Sequence, residues 1–158
     1  MSIQIGSPAP EFSLSNAQGE YIHLSQFRGQ WVIVYFYPKD NTPGCTKEAC
    51  GFRDHFESFQ SQNIQILGIS PDGATAHQKF IAKHNLPFTL LCDPDASVAK
   101  AYESYGPKQF MGKQYEGVYR QTFVIDPTGV IVKIYRKVKA ESHAGELLDN
   151  MRQIMTPS

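Results

Sequence analysis

The chain has 158 residues, a usual length for one domain, and it can bury a core without metals or disulfide staples. Hydrophobic residues make up 41% and charged residues 19%, which argues against a disordered chain. Lys plus Arg and Asp plus Glu both number 15, so no basic excess favours nucleic acid or an acidic membrane surface. We expect a single domain over residues 1–158.

The cellular location is predicted from what the chain lacks. Its N-terminal residues do not combine the basic and apolar regions of a signal peptide, and no stretch approaches the roughly 18 apolar residues of a membrane span. Three cysteines are too few for a secreted disulfide scaffold and are typical of a reducing compartment. The sequence predicts a cytoplasmic protein with no membrane partner.

The first predicted elements form a hairpin and a strand–helix–strand unit. Residues 12–24 predict a hairpin that turns at Asn16–Gly19. Continuous apolar runs at 31–37 and 64–70 predict strands buried on both faces. Between them, phenylalanines at helical spacing predict a helix over 45–61 that faces the sheet. Strands joined by such a helix pair in parallel, with a right-handed crossover.

The second half of the chain predicts further helices and an antiparallel hairpin. The hairpin strands turn at Asp126–Gly129, a sequence favourable for a tight turn. The predicted elements are helices at 74–85, 96–104 and 142–155, a short strand at 88–91, and hairpin strands at 118–126 and 130–136. This order predicts an α/β protein with a thioredoxin-like fold: a mixed central sheet flanked by helices, with an N-terminal β-hairpin.

The segment between the first buried strand and its crossover helix carries the candidate chemistry, because ligands of open α/β sheets bind at the carboxyl ends of strands. Thr42 is a favourable N-cap and Pro43 a favourable first helical residue, so Cys45 falls in the first turn. Unpaired backbone N–H groups and the positive end of the helix dipole favour a thiolate there. We predict that Pro38 closes one wall of the pocket and that the Thr42 hydroxyl accepts or donates a hydrogen bond.

Each of these residues also has a purely structural explanation. Cys45 would be a small buried apolar residue, Thr42 an ordinary helix cap and Pro38 a strand terminator. Taken alone, Thr42 and Pro38 are better explained in that way. Their combination with a cysteine in the first helical turn favours a reactive site.

The pattern Pro38-x-x-x-Thr42-x-x-Cys45 resembles the active-site motif of peroxiredoxins. Cys50 resembles the resolving cysteine of the bacterioferritin comigratory protein, or peroxiredoxin Q, subfamily. The similarity covers nearly the whole chain, through Phe36-Tyr37-Pro38, Gly68-Ile69-Ser70, Phe88-Thr89-Leu90-Leu91, Phe110-Met111-Gly112-Lys113, Arg120 and Phe123-Val124-Ile125-Asp126.

This resemblance implies a thioredoxin-dependent peroxidase of the atypical 2-Cys type, without a cofactor. The Cys45 thiolate would attack hydrogen peroxide or an organic hydroperoxide and become a sulfenic acid. Thr42 and Arg120 would orient the peroxide and stabilise charge on the leaving oxygen. Cys50 would then form an intramolecular disulfide that thioredoxin reduces. An intramolecular pair needs no second subunit, so we expect a monomer.

Arg120 is also unusual for its own segment. If residues 118–126 form one strand, Arg120 shares a face with alternate neighbours: Val118, Thr122 and Val124. An arginine on a largely apolar face requires an anionic partner. Alternatively, Arg120 lies at a sheet edge and extends its charged group into solvent.

Glu48 is a candidate partner for a nearby arginine. Its alternative is a favourable interaction with the helix dipole in the first turn.

The spacing of Cys45 and Cys50 sets a geometric constraint. In a continuous α-helix their Cα atoms would lie roughly 8–9 Å apart, whereas a disulfide requires less than about 7 Å. The first helical turns would therefore have to unwind before the disulfide forms. Gly51 lowers the cost of unwinding by roughly 1 kcal/mol relative to alanine. We predict a folded helix in the reduced protein and a locally melted one in the oxidised protein.

Cys92, the histidines and the general function each allow more than one interpretation. We interpret Cys92 as a structural residue at a strand end; alternatively, it resolves the sulfenic acid in place of Cys50. The five histidines are scattered without metal-binding spacing, so we expect no metal. A second function is a non-enzymatic redox sensor or holdase that uses the same disulfide. A sensor would bind a client only when oxidised, whereas a peroxidase turns over. A disulfide oxidoreductase would instead favour Cys-x-x-Cys.

Overall fold

The apolar runs of the sequence become strands in a computed structural model that describes residues 3–156. The strands are β1 (Ser13–Asn16), β2 (Tyr21–His23), β3 (Trp31–Phe36), β4 (Ile64–Ser70), β5 (Thr89–Cys92), β6 (Tyr105–Phe110), β7 (Lys113–Val118), β8 (Gln121–Ile125) and β9 (Ile131–Tyr135). The α-helices are α1 (Pro43–Asp54), α2 (Phe56–Ser61), α3 (Ala74–His84), α4 (Ser97–Ala101) and α5 (His143–Met155).

Seven of the strands form one mixed sheet in the order β2-β1-β5-β4-β3-β8-β9. Strand β4 pairs in parallel with both β3 and β5, and the other pairings are antiparallel. Strands β1 and β2 form the predicted N-terminal hairpin. The prediction of a mixed α/β sheet with that hairpin is therefore confirmed.

Strand β3 lies between β4 and β8 in the sheet and is buried on both faces, as predicted. Alternate residues Ile33 and Tyr35 pack against helices α1, α2, α3 and α5, through side chains such as those of Phe52, Phe59, Phe80 and Leu147. Val32, Val34 and Phe36 pack on the opposite face with α4 and the N-terminal segment. Burial on both faces explains why the run is apolar at every position rather than at every second one.

The predicted helix over 45–61 is two helices, α1 and α2, because the chain leaves helical geometry at His55 (φ −106°, ψ 8°). The interruption is one residue long. Phe52 before it and Phe59 after it are both wholly buried against the sheet. No helix of residues 3–156 is long and apolar enough to cross a membrane.

The prediction of one strand over 118–126 is wrong. Val118 ends β7, and Tyr119 and Arg120 connect it to β8. Val118 packs in the layer opposite to that of Val124, so the two do not share a face. Strands β6 and β7 form a separate ribbon that sequence periodicity missed, because most of β7 is exposed on both faces and has no apolar alternation.

Candidate active site

The loop after β3 leads directly into α1, and it places Cys45 in the first helical turn. Thr42 occupies the N-cap position with extended backbone geometry, and Pro43 is the first helical residue, as predicted. The Cys45 side chain is buried, with 1% of its surface exposed. Its position next to unpaired backbone N–H groups of the helix start favours an anionic sulfur.

The Thr42 hydroxyl does not cap the helix. It donates a hydrogen bond instead to the backbone carbonyl of Lys39, at 2.8 Å. Because its single proton is used in this bond, its oxygen is left to accept a hydrogen bond from a ligand. A hydroperoxide carries such a proton on its terminal oxygen.

Arg120 bridges the two acidic groups of this turn. Its Nη2 donates to Cys45 Sγ at 3.2 Å, and its Nη1 donates to Glu48 Oε1 at 2.7 Å. Gly44 leaves room for the guanidinium, since a Cβ at this position would lie 3.1 Å from Arg120 Nη2. The predicted anionic partner of Arg120 therefore exists, although Arg120 lies in the link before β8 rather than inside a strand.

Glu48 and Arg120 form one ion pair, and the pKa of each is raised for a different reason. Burial raises the pKa of the wholly buried Glu48 carboxyl to about 7, and Arg120 only partly opposes this. Burial acts to lower the pKa of Arg120, but the neighbouring Glu48 and Cys45 together outweigh this effect, so the pKa of Arg120 is raised. The guanidinium side chain remains 22% exposed and faces the Glu48 carboxyl and the Cys45 sulfur. Arg120 therefore keeps its charge while Glu48 titrates near neutral pH.

Aromatic rings close the back of this site. Tyr35 stacks on Phe52 with ring centroids 4.7 Å apart, and His143 meets Phe52 edge-on at 6.1 Å. Burial lowers the pKa of His143 to about 4, and its Nε2 lies 2.9 Å from the Thr122 hydroxyl. His143 is thus neutral at physiological pH, and Arg120 is the cation that contacts the Cys45 sulfur.

A chain with a buried cysteine in a first helical turn, contacted by an arginine from the link before β8, matches a known family. The model of the AhpC/TSA family covers residues 5–134. Peroxiredoxin Bcp of Bacillus subtilis is 46% identical over 154 residues, which is 98% of each chain. The chain belongs to this family and is a peroxiredoxin. A putative peroxiredoxin bcp of Coxiella burnetii is 48% identical and covers 96% of this chain and 100% of its own.

Solved structures agree with this assignment. The bacterioferritin comigratory protein of Xanthomonas campestris, studied for alkyl peroxide reduction, superposes with a TM-score of 0.87 at 35% identity over 92% of each chain. A Cys-to-Ser mutant of the Xylella fastidiosa peroxiredoxin Q gives 0.92 at 33% identity over 99% of each chain. The thioredoxin-like fold and the resemblance to the peroxiredoxin Q subfamily are confirmed. The general activity is that of a thiol peroxidase, which reduces a peroxide with electrons from a thiol.

Cys50 lies in the same uninterrupted helix as Cys45 and is only partly buried. All three cysteines of the peroxiredoxin are free thiols in this structure. The next residue, Gly51, packs closely on α5, because a Cβ there would approach the Ala144 Cβ to 3.3 Å. The helical geometry on which the unwinding argument depends is therefore present.

Cys92 is the last residue of β5, 7% exposed, and pairs across the sheet with Ser15 and Ser70. Burial raises the pKa of its thiol. A protonated thiol is a poor nucleophile, which agrees with the interpretation of Cys92 as a structural residue.

Pro38 lines a groove of about 400 Å³ that runs from the active-site loop along the β6–β7 ribbon. Cys45 does not line it, so shielding of the sulfur by Pro38 stays a prediction. The ribbon contributes the rings of Tyr105 and Tyr115 and the side chain of Lys108. Partial burial and the charge of Arg120 lower the pKa of Lys108, while Cys45 acts in the opposite direction. This end of the groove therefore lies within electrostatic range of the site.

A buried polar network behind the active-site loop was missed by sequence reasoning. It joins Tyr37, Asp40 and His77, which are all nearly inaccessible to solvent. In the sequence, His77 is one of five scattered histidines. No spacing pattern connects it to Asp40, because 37 positions separate them in the chain. Among residues 3–156, no cluster of His, Cys, Asp and Glu is arranged to hold a metal ion.

Proposed function

We propose that this peroxiredoxin reduces hydrogen peroxide and organic hydroperoxides through Cys45, is resolved by Cys50, and is recycled by thioredoxin. The observation that carries the proposal is the 3.2 Å contact from Arg120 Nη2 to Cys45 Sγ at the start of α1. An arginine N–H favours the ionised sulfur, which is the nucleophilic form of a cysteine.

In the first step, the Cys45 thiolate attacks the terminal oxygen of the peroxide. A sulfur–oxygen bond forms and the oxygen–oxygen bond breaks, so that sulfur is oxidised to a sulfenic acid and the peroxide is reduced to an alcohol or water. The Thr42 oxygen accepts the hydrogen bond of the peroxide O–H and fixes its direction. Arg120 stabilises the negative charge that develops on the leaving oxygen, which finally takes up a proton.

In the second step, the Cys50 thiol attacks the Cys45 sulfenic acid. The products are one disulfide and one water molecule. Because α1 is a continuous helix over both residues, this step requires unwinding of its first turns. The unwinding also exposes the disulfide to a reductant.

In the third step, thioredoxin or a similar dithiol reduces the disulfide by thiol–disulfide exchange, and α1 refolds. Both sulfurs of the proposed disulfide belong to one chain, so we propose a monomer in which residues 1–158 form one catalytic domain. The low number of cysteines supports a reducing, cytoplasmic location.

Two observations support organic hydroperoxides as substrates. The groove that starts at Pro38 offers the rings of Tyr105 and Tyr115 to an apolar group, and a ring face stabilises such a group through burial. The related Xanthomonas campestris protein was studied for alkyl peroxide reduction.

The test is peroxide consumption coupled to thioredoxin. Cys45→Ser should abolish it, because no sulfur remains to be oxidised. Cys50→Ser should consume about one equivalent of peroxide per chain and then stall, while Cys92→Ser serves as the matched control and should turn over. Mass mapping of the oxidised protein should find the Cys45–Cys50 disulfide.

Three results would contradict the proposal: sustained turnover by Cys50→Ser, a stall in Cys92→Ser, or equal amide-exchange protection across residues 45–55 in oxidised and reduced protein. Consumption of a single equivalent by the wild-type protein would indicate a sensor rather than an enzyme.

A further inference from the structure

His77, in helix α3, is wholly buried, and both of its ring nitrogens face hydrogen-bond acceptors. Nε2 lies 2.9 Å from the backbone carbonyl oxygen of Leu91, which has no proton to give. Nε2 must therefore carry a proton. Nδ1 lies 2.6 Å from Asp40 Oδ2, and a proton must lie between these two atoms as well.

The other oxygen of Asp40 does not supply that proton. Asp40 Oδ1 accepts the hydroxyl proton of Tyr37 at 2.6 Å. A neutral imidazole carries one ring proton, but the two contacts of His77 require two protons. The His77–Asp40 pair therefore holds one proton more than a neutral imidazole next to an ionised carboxylate. The geometry is that of an imidazolium paired with a carboxylate inside the protein.

The surrounding charges favour this extra proton. The Asp72 carboxylate, in the turn after β4, accepts the backbone N–H of Asp40 at 2.8 Å and the hydroxyl of Ser70 at 2.8 Å. The Cys92 thiol of β5 lies within electrostatic range of both carboxylates. Within residues 3–156, no lysine or arginine forms an ion pair with Asp40 or Asp72. Burial acts to lower the pKa of His77, but Asp40, the Leu91 carbonyl and Asp72 raise it overall.

The network is connected to the active site through the loop that contains Asp40. Three elements hold this residue: Tyr37 at the end of β3, His77 in α3, and Asp72 after β4. The carbonyl of its neighbour Lys39 accepts the hydroxyl proton of Thr42, at 2.8 Å. The direction of the Thr42 oxygen therefore depends on where Asp40 holds the loop.

We propose that His77 is a positioning residue of this peroxidase: the proton that it shares with Asp40 holds residues 38–42 so that the Thr42 oxygen faces the peroxide beside Cys45. The inference rests on the proposed roles of Cys45 and Thr42. His77 acts only through Asp40 and the loop, and it contacts neither the sulfur nor the peroxide.

The pKa of His77 is raised in the folded protein, and this determines how pH affects the active-site loop. The folded protein binds the His77 proton more tightly than the unfolded chain does, so the stabilisation is complete at low pH and is lost as pH rises through the folded pKa. Above that pH, Thr42 loses its fixed position, whereas the Cys45 thiolate persists. Peroxide reduction should then fall by about tenfold to a hundredfold, as expected for a misplaced positioning group, while alkylation of Cys45 by iodoacetamide should not fall.

Three variants separate the shared proton from the hydrogen bonds. In Asp40→Asn, the new amide can accept from Tyr37 and donate to Nδ1 of a neutral His77, so the alkaline decrease should disappear. In His77→Asn, an amide nitrogen can replace Nδ1; in His77→Gln, it can replace Nε2 only. The Asn variant should therefore retain about tenfold more peroxide reactivity than the Gln variant. Gln78→Ala removes one hydrogen bond from the same helix, to the Ala17 carbonyl, and is the stability control.

Nitrogen NMR of His77 provides a readout that does not depend on activity. Both ring nitrogens should be protonated at pH 7, and the amide signals of residues 39–42 should titrate together with the ring. A neutral His77 at pH 7, or loop signals that do not follow it, would overturn the proposal.

The rates of peroxide reduction and of Cys45 alkylation provide a second test of the role of His77. The proposal is also wrong if Asp40→Asn keeps the alkaline decrease, or if peroxide reactivity and Cys45 alkylation fall together in the His77 variants. A wild-type protein that consumes no peroxide at any pH would contradict the proposed function instead, and the NMR titration would still decide the role of His77.

Discussion

The two cysteines of α1 lie five positions apart in one helix, yet their surroundings differ. Cys45 is 1% exposed, is contacted by Arg120 at 3.2 Å, and follows a loop held by a buried network. Cys50 is only half-buried and precedes a glycine that packs on α5. The first position is suited to activating a sulfur in a fixed geometry, whereas the second leaves part of the Cys50 side chain exposed to solvent. One helix therefore carries two cysteines in different surroundings, and substitutions at four residues, each with a control, test this contrast.

The largest effect is expected beside Cys45, from Arg120. Arg120→Met keeps an unbranched side chain but removes both N–H contacts, so the rate of peroxide reaction should fall by about a hundredfold to a thousandfold. Arg120→Lys should be intermediate, because an ammonium cannot donate in two fixed directions to Cys45 and Glu48. Stopped-flow kinetics of the Cys45 reaction measure this.

The matched control for Arg120 is Arg136→Met. Arg136 donates to Gln121 and pairs with Glu103. A rate for Arg120→Met within about threefold of the wild type would remove Arg120 from the chemistry.

Glu48 should affect stability in a pH-dependent manner. Its pKa is about 7 in the folded protein and near 4.5 ordinarily, so the folded state binds a proton that the unfolded chain has lost over this range. Stability of the wild type should therefore decline as pH rises from 4.5 to 7, relative to Glu48→Gln, by up to about 3 kcal/mol. Denaturant titrations at several pH values measure the difference.

Glu57→Gln, on the exposed side of α2, is the control for Glu48. Parallel stability curves for Glu48→Gln and the wild type would show that the Glu48 carboxyl does not titrate in this range.

Thr42 should have a somewhat smaller effect on the rate. Thr42→Val preserves the shape but removes the oxygen that accepts from the peroxide, and the rate should fall by about tenfold to a hundredfold. Thr42→Ser retains the hydroxyl and should stay closer to the wild type. Thr46→Val, one turn later in α1, is the control. If the Val and Ser variants of Thr42 lose the same rate, the hydroxyl has no part in orienting the peroxide.

The smallest effect is expected at Gly51, next to Cys50. Gly51→Ala favours the helix by up to about 1 kcal/mol, although its Cβ would approach Ala144 to 3.3 Å. Disulfide formation after a pulse of peroxide should slow a fewfold, with no change in the first oxidation step. Gly145→Ala is the control. Gly145 is a helical glycine in α5, and a Cβ there would lie at an ordinary distance of 3.5 Å from His55 Nε2. This variant should not slow disulfide formation. Equal rates in both variants would indicate that unwinding of α1 does not limit resolution.

Residues that act through their immediate neighbours could be predicted from the sequence. Strands β3 and β4 follow from unbroken apolar runs, and the start of α1 follows from Thr42 and Pro43. The placement of Cys45 in the first turn depends on these local preferences alone, because capping and periodicity operate over a few positions.

The surroundings of Arg120 could be predicted only in part. The sequence predicted an anionic partner from a continuous strand, and the partner exists although the strand does not. The β6–β7 ribbon ends at Val118, and its exposed faces carry no apolar alternation that could have revealed it.

By itself, the sequence determined the family, the central strands and the reactive cysteine at a helix start, since each is encoded by residues close together in the chain. Only the tertiary structure decided what surrounds that cysteine. Arg120 reaches Cys45 across 75 positions and Glu48 across 72, and His77 reaches Asp40 across 37. Such contacts depend on how strands and helices meet in space, and a buried charge or shared proton is stabilised only by the partners that the fold brings to it.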